Sequence, residues 1–302
     1  MNIKTINFMG IRNIAFAITV LLTLVALGSL FTKGLNLGLD FTGGTQIELG
    51  YEQPADLGKI RQQLSAAGYG DAVVQNFGAT TDVVVRMQGD DPDLGIKVAE
   101  ALRHSGDRLE VKKVEFVGPQ VGEELRDKGG LGLLLALGGV MLYLAFRFQW
   151  KFGVGAIVSL VHDVIITLGI LSFFQISFDL TVLAALLAII GYSLNDTIVV
   201  FDRVRENFRV LRNTSLIDNI NISTTQTLLR TMATSISTLL AVGALLVFAG
   251  DNLFAFSIAL FVGVAVGTYS SVYISNVMLI WLDLTVEDLI PPVVAEEVDE
   301  RP

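Results

Sequence analysis

The sequence contains no cysteine, which excludes disulfides and thiolate metal sites within it but assigns no redox compartment. Histidine is scarce: His104 and His162 stand far apart and form no metal-ligand spacing, so no metal or other cofactor is expected. Charged residues make up 17% of the chain, with a net charge of -9 and no extended basic face, which argues against nucleic acid as a partner. Phosphate-binding loops, nucleophile elbows and zincin signatures are also missing, so nothing points to nucleotide hydrolysis or covalent catalysis, and no enzyme is expected.

Apolar length is what the chain has in quantity: 52% of its 302 residues are hydrophobic, and the mean hydropathy is +0.61. Six segments, near 14–31, 131–149, 153–174, 180–201, 229–249 and 253–282, approach or exceed the roughly 20 residues that cross a bilayer. The expected class is an α-helical polytopic membrane protein in contact with membrane lipid. The first segment follows Arg12 and contains Ala26-Leu27-Gly28, which resembles a signal cleavage site. Its apolar run exceeds the roughly 7–15 residues of a signal core, so it reads as an uncleaved anchor. The last segment is longer than one crossing requires; it tilts, or lays Leu253–Leu260 along the interface.

Basic residues set an orientation. Lys4 and Arg12 precede the first span, Arg147 and Lys151 fill the turn between the second and third, and Arg203, Arg205, Arg209 and Arg212 follow the fourth. The short connections around Gln175–Asp179 and Gly250–Asn252 carry no Lys or Arg. The positive-inside rule then places both termini in the cytoplasm and the segment 32–130 outside. Within that segment, strands are expected at Thr45–Leu49, Val73–Phe77, Asp82–Met87 and Leu109–Val117, with helices at Asp56–Ala67 and Asp93–Arg103. The order β-α-β-β-α-β predicts a ferredoxin-like α+β domain, from which function cannot be read. His104 reads as a solvated helix-terminal residue. Asp90-Asp91-Pro92-Asp93 lacks the later ligands of a calcium loop and reads as a helix start. The expected organisation is a cytoplasmic N-terminus and first span (1–31), a periplasmic domain (32–130), a five-span bundle (131–285) and an acidic tail (286–302), solvated around Glu296–Glu300.

Asn195 and Asp196 lie inside the fourth span, where a carboxylate costs roughly 2.5–3.5 kcal/mol on insertion scales. Such a group is by default a functional-site candidate; its plainer reading is a hydrogen-bonded acid that helps helices pack. Ser193, Asp196 and Thr197 share one helix face. Asp196 lies six residues before Asp202, about 9 Å from the helix's charged boundary. Arg230 opens the fifth span, followed by the polar stripe Thr231, Thr234 and Thr238, and antiparallel placement puts it in the same half of the membrane as Asp196. An acid that exchanges its partner between Arg230 and water meets the physical requirement of a proton relay. The plainer reading of Arg230 is snorkelling to headgroups. Asp163, beside His162 in the third span, is a further candidate for the path, or a local hydrogen bond that positions helices. Gly263 and Gly267 form a GxxxG suited to close helix packing.

Three stretches carry a family resemblance: Gly38-Leu-Asp-Phe-Thr-Gly-Gly44 after the first span, Gly191 through Asn207, and Arg230-Thr-Met-Ala-Thr-Ser235. With six spans and one large loop after the first, the chain resembles the SecF family, membrane subunits of SecD–SecF protein export within the RND superfamily. The resemblance implies a bacterial inner-membrane protein that works with SecD, associates with SecYEG and YajC, and uses the proton-motive force to promote preprotein export. It also implies proton-path roles for Asp196 and Arg230. Asp40, Phe41, Thr42, Gly43 and Gly44 fall in the family motif that joins the first span to the outer domain, where Gly43-Gly44 reads as a pivot or as a tight turn. A solute or lipid exporter subunit on the same scaffold, and an assembly factor without energy transduction, are the alternatives.

Overall fold

The structure is a computed structural model that describes residues 5–77, 79–89, 91, 93–104, 108–211, 214–250, 253–285 and 288. The expected acidic tail, the His104 side chain and part of the Asp90–Asp93 run lie outside the described residues. Among the described residues, six helical passages are long and apolar enough to cross a membrane. They are α1 (Arg12–Lys33, after a 3-10 turn at Met9–Ile11), α5 (Pro119–Arg147), α6 (Trp150–Phe174), α7 (Leu180–Val210), α8 (Leu216–Phe248), and α9 (Phe254–Val272) continued by α10 (Ile274–Trp281).

The ends of these helices are set locally. Pro119 opens α5, where its missing N–H is no loss. The span expected at 131–149 is thus the apolar part of a longer helix whose first turns are polar. Asp179 caps α7 by accepting from Val182 N–H at 2.9 Å, and Ser215 caps α8 by accepting from Asp218 N–H at 3.1 Å. The last passage breaks at Tyr273, between α9 and α10. Its first part does not lie along an interface: Ala259 is buried with Leu171, Val182 and Ala185, and Phe256 and Leu260 pack on that cluster. The serines and glycines of α9 allow the helix to enter the bundle rather than skirt it.

Small residues decide where the helices meet. A Cβ on Gly169 of α6 would fall 2.2 Å from the Ala26 Cβ of α1, and one on Gly263 of α9 would fall 2.3 Å from Ile189 Cδ1 of α7. Phe152 and Phe201 meet edge to face at 5.1 Å and join α6 to α7 inside the largest apolar cluster. By contrast α5 is barely covered, with Leu134, Leu135, Leu142 and Phe146 exposed.

The extramembrane domain follows α1. It comprises β2 (Gly44–Tyr51), α3 (Leu57–Ala66), β3 (Val73–Phe77), β4 (Ala79–Met87), α4 (Leu94–His104) and β5 (Leu109–Val117). The sheet order is β3-β4-β2-β5, antiparallel throughout. Alternation sends Ile47, Leu49, Val83 and Val85 to the side of α3 and α4, where they are buried with Ile60, Leu64, Val98 and Leu102.

Two short elements fasten the domain to the bundle. β1 (Asn36–Leu37) pairs in parallel with β6 (Ser177–Phe178), which lies between α6 and α7. The single-turn α2 (Leu39–Thr42) then leads into Gly43 (φ 65°) and Gly44 (φ 107°). A Cβ on Gly44 would stand 2.2 Å from Met87 O, and one on Gly43 would stand 2.8 Å from Pro119 Cα. The glycine pair therefore forms a tight turn against which the start of α5 is pressed.

Replacing Gly169 by Val is expected to force α1 off α6 and destabilise the protein by about 1–3 kcal/mol, as overpacking does. Gly138→Ala, with nothing within 4 Å of its added Cβ, is expected to be silent. Thermal unfolding of the two variants in detergent checks this, and equal midpoints would contradict it.

Candidate functional site

Two carboxylates are buried in the bundle among the described residues, and their surroundings differ. Asp163 sits midway along α6 and is 1% exposed. Its Oδ2 accepts from Ser193 Oγ of α7 at 2.5 Å and from Ser270 Oγ of α9 at 2.7 Å. Its Oδ1 lies 3.0 Å from His162 Nδ1. Two neighbouring helices thus each bring a serine hydroxyl to Oδ2, and Ser270 Oγ also lies 3.1 Å from Gly267 O of its own helix. Gly267 makes the approach possible, since a Cβ there would already stand 3.1 Å from Ser193 Cβ and 3.5 Å from Asp163 Oδ2. The GxxxG of α9 thus packs Gly263 on Ile189 and Gly267 on Ser193 and Asp163.

Asp196 of α7 is also buried, yet its Oδ2 has no hydrogen-bond partner among the described residues. Such an atom in a native interior marks a place for a proton, a water or a moving group. Ser193 and Thr197 are buried on the same face, as their spacing predicts. Arg230 is the charge that acts on the Asp196 carboxyl, and Ser235 is the hydroxyl within its reach. The register supports this pairing. Tyr192 Oη donates to Ser235 Oγ at 3.1 Å between α7 and α8. Moving four residues on along α7 and five back along α8 brings Asp196 level with Arg230.

Ser235 is contested. Its oxygen accepts from Tyr192 and stands 2.7 Å from Thr268 Oγ1 of α9. Thr268 spends its own proton on Val264 O at 2.8 Å, so in this arrangement Ser235 donates to Thr268. A hydroxyl has one proton to give, so Ser235 serves either Thr268 or Asp196. Charge on Asp196 and the contact between α8 and α9 therefore compete for the same donor.

Ser193 and Asp196 share one buried face of α7, with Asp163, His162 and Ser270 gathered at the first and Ser235 and the charge of Arg230 acting on the second. Asn195 joins neither group: it is exposed on the outward face of α7, and Arg230 is itself exposed on α8. Adjacent helix residues diverge by about 100°, so the Asn-Asp pair points one side chain inward and the other out of the bundle. Ser270 and Thr268 escaped the reading of the sequence. Hydroxyls clustered in an otherwise apolar helix were the available signal.

The motif around Asp40 reaches this helix from its other end. Asp40 Oδ2 accepts from Leu180 N–H, the first residue of α7, at 3.0 Å, and Gly38 N–H donates to Phe178 O at 2.7 Å. An acidic side chain at a helix N-terminus is favoured by the helix dipole. Phe41 stacks on Phe178 at 5.6 Å. The connection between α1 and the extramembrane sheet is thus bound to the entry of the helix that carries Asp196.

Comparison with known proteins matches residues 97–285 to the family "Protein export membrane protein SecD/SecF, C-terminal" and residues 28–55 to the "SecD/SecF GG Motif". The chain is 72% identical to the protein translocase subunit SecF of Pseudomonas aeruginosa, over all of both chains. It is 48% identical to that of Vibrio alginolyticus, over 99% of this chain and 98% of the relative. Among solved structures, SecDF of Thermus thermophilus, described as a translocon-associated membrane protein, superposes with a TM-score of 0.85 at 40% identity. That match covers 93% of this chain, which spans 39% of the longer SecDF chain.

Removing a hydroxyl from the buried Asp163 carboxyl is expected to cost about 1–3 kcal/mol, the range for a buried acceptor that loses its partner. Ser270→Ala should therefore lower the unfolding midpoint clearly. Ser271→Ala, whose hydroxyl bonds within its own helix to Thr268 O, should lower it little; the reverse order would show that Asp163 is not the anchor.

Proposed function

The chain belongs to the SecD/SecF family of protein-export membrane proteins, and from that premise we propose that proton exchange at Asp196 drives its part in preprotein export. It is a multi-pass membrane subunit of the SecF type, and its function is protein translocation. The proton-motive reading rests on one observation above the others: Asp163 has two serine hydroxyls on Oδ2 and His162 beside Oδ1, whereas Asp196 is buried with an Oδ2 that has no hydrogen-bond partner among the described residues.

In this reading, ionised Asp196 draws the Ser235 proton and the Arg230 cation, and α8 releases Thr268 of α9. Protonation removes that pull and returns Ser235 to Thr268. Each cycle repacks α8 against α7 and α9, while Asp163, on the path, holds α6, α7 and α9 together through Ser193 and Ser270. The entry of α7, tied through Asp40 to the Gly43-Gly44 turn, passes the change to the extramembrane domain.

Orientation follows the basic residues, with both termini cytoplasmic and the 32–130 segment periplasmic. The exposed Asn195 and Arg230 and the bare α5 call for a membrane partner, and SecD is the partner the family supplies. SecYEG, YajC and the translocating preprotein complete the assembly. An RND-type solute or lipid exporter would use the same acid, but it would lead to solute accumulation on deletion rather than preprotein retention.

Asp196→Asn is expected to abolish gradient-dependent preprotein translocation into vesicles while SecD still co-purifies. Full stimulation by the gradient in that variant would remove Asp196 from the mechanism and favour a scaffold.

A further inference from the structure

Arg86 lies on β4, on the sheet face turned away from α3 and α4. Alternation places it with Gln46 and Gln75 on that face, and its register partner on β2 is Gln46. Its Nε donates to Gln46 Oε1 at 2.8 Å, which fixes the guanidinium relative to the sheet. The other end of the fork leaves the domain: Nη2 donates to Ser177 Oγ at 2.5 Å, and Nη1 to Asn36 Oδ1 at 3.3 Å. Ser177 and Asn36 are the paired residues of the β1–β6 ribbon. One planar cation therefore joins the sheet to both strands of the ribbon.

The setting favours a specific guanidinium. Burial lowers the Arg86 pKa from its ordinary value, and the charge of Asp179 opposes that shift. Asp179 is the cap of α7, so the cation also lies in the field of the helix entry. A cavity of about 640 Å³ opens beside it, between the polar sheet face and the connections at Phe174–Asp179 and Leu253–Ala255. The two bodies are not pressed together over this area, and a polar side chain has to cross it. A rigid fork with five donors spans such a gap while holding two partners at once, as an ammonium does not.

We infer that Arg86 is a positioning residue that couples the extramembrane sheet to the strand–helix junction entering α7. Asp40 holds that junction to the linker after α1, and Arg86 holds it to the sheet. Together they make a displacement of α7 a displacement of the domain. The inference rests on the proton-exchange reading of Asp196, because it names how that change leaves the membrane.

The chain has no cysteine, so two introduced cysteines label it uniquely. Spin labels at Gln62→Cys, exposed on α3, and Phe174→Cys, exposed at the end of α6, report the distance between domain and bundle in the complex with SecD. With Arg86 present, Asp196→Asn is expected to shift that distance distribution; with Arg86→Gln, the shift is expected to be lost. Ser177→Ala should reproduce the loss, and Gln46→Ala should weaken it less, since Gln46 lies on the sheet side of the fork. Equal shifts with and without Arg86 would overturn the coupling and leave the proton reading intact. No shift in either background would overturn the proton reading and the coupling that rests on it. Loss of the shift with Gln46→Ala but not with Ser177→Ala would make Arg86 a fold residue of the sheet alone.

Discussion

The bundle depends on satisfying a carboxylate in the middle of a membrane. Asp163 is almost fully buried, and leaving a carboxyl there without hydrogen-bond partners would be costly. Ser193 and Ser270 supply its donors from two other helices. That requirement sets how closely α6, α7 and α9 approach and explains the glycine at position 267. Once these three helices are fixed, the face of α7 that carries Ser193 is turned inward, and Asp196, one turn further on, is carried into the interior with it. The burial of the second acid is a consequence of satisfying the first.

Asp196 is then held where its own needs are not met. Its surroundings offer one arginine on a neighbouring helix and one serine already committed to Thr268. A fully satisfied network would be rigid, whereas one donor short of satisfaction has two arrangements of similar standing. In the proposed reading Asp163, with two serine donors, is the anchor, and Asp196, with an oxygen left unpartnered among the described residues, is the switch. The proposed function draws on the end of that helix as well as its middle, because the connection between α1 and the sheet is bonded to the first residue of α7 through Asp40 and to the strand before it through Gly38.

Much of this was legible in the sequence, for reasons that differ by element. Strands at Val73–Phe77 and Leu109–Val117 fall where expected, because turn residues bound them. That Ser193, Asp196 and Thr197 share a face followed from helical spacing alone. The β1–β6 ribbon did not follow, since two residues on each strand have no period, and the pairing joins positions 141 residues apart. The length of α5 was hidden by its polar first turns, which read as a loop although Gly118 and Pro119 mark a helix start. Asn195 was grouped with Asp196 by adjacency, and the helix separates what adjacency joins. The partnership of Asp163 with Ser270 could not be read at all, because it depends on which helices are neighbours.

Proton entry itself is the central claim, and flux measures it without reference to export. The complex with SecD would be reconstituted in vesicles holding a pH-sensitive dye, with a potassium diffusion potential as the driving force. The account predicts proton influx with the native chain and background leakage with Asp196→Asn. Influx of equal size from both would contradict it.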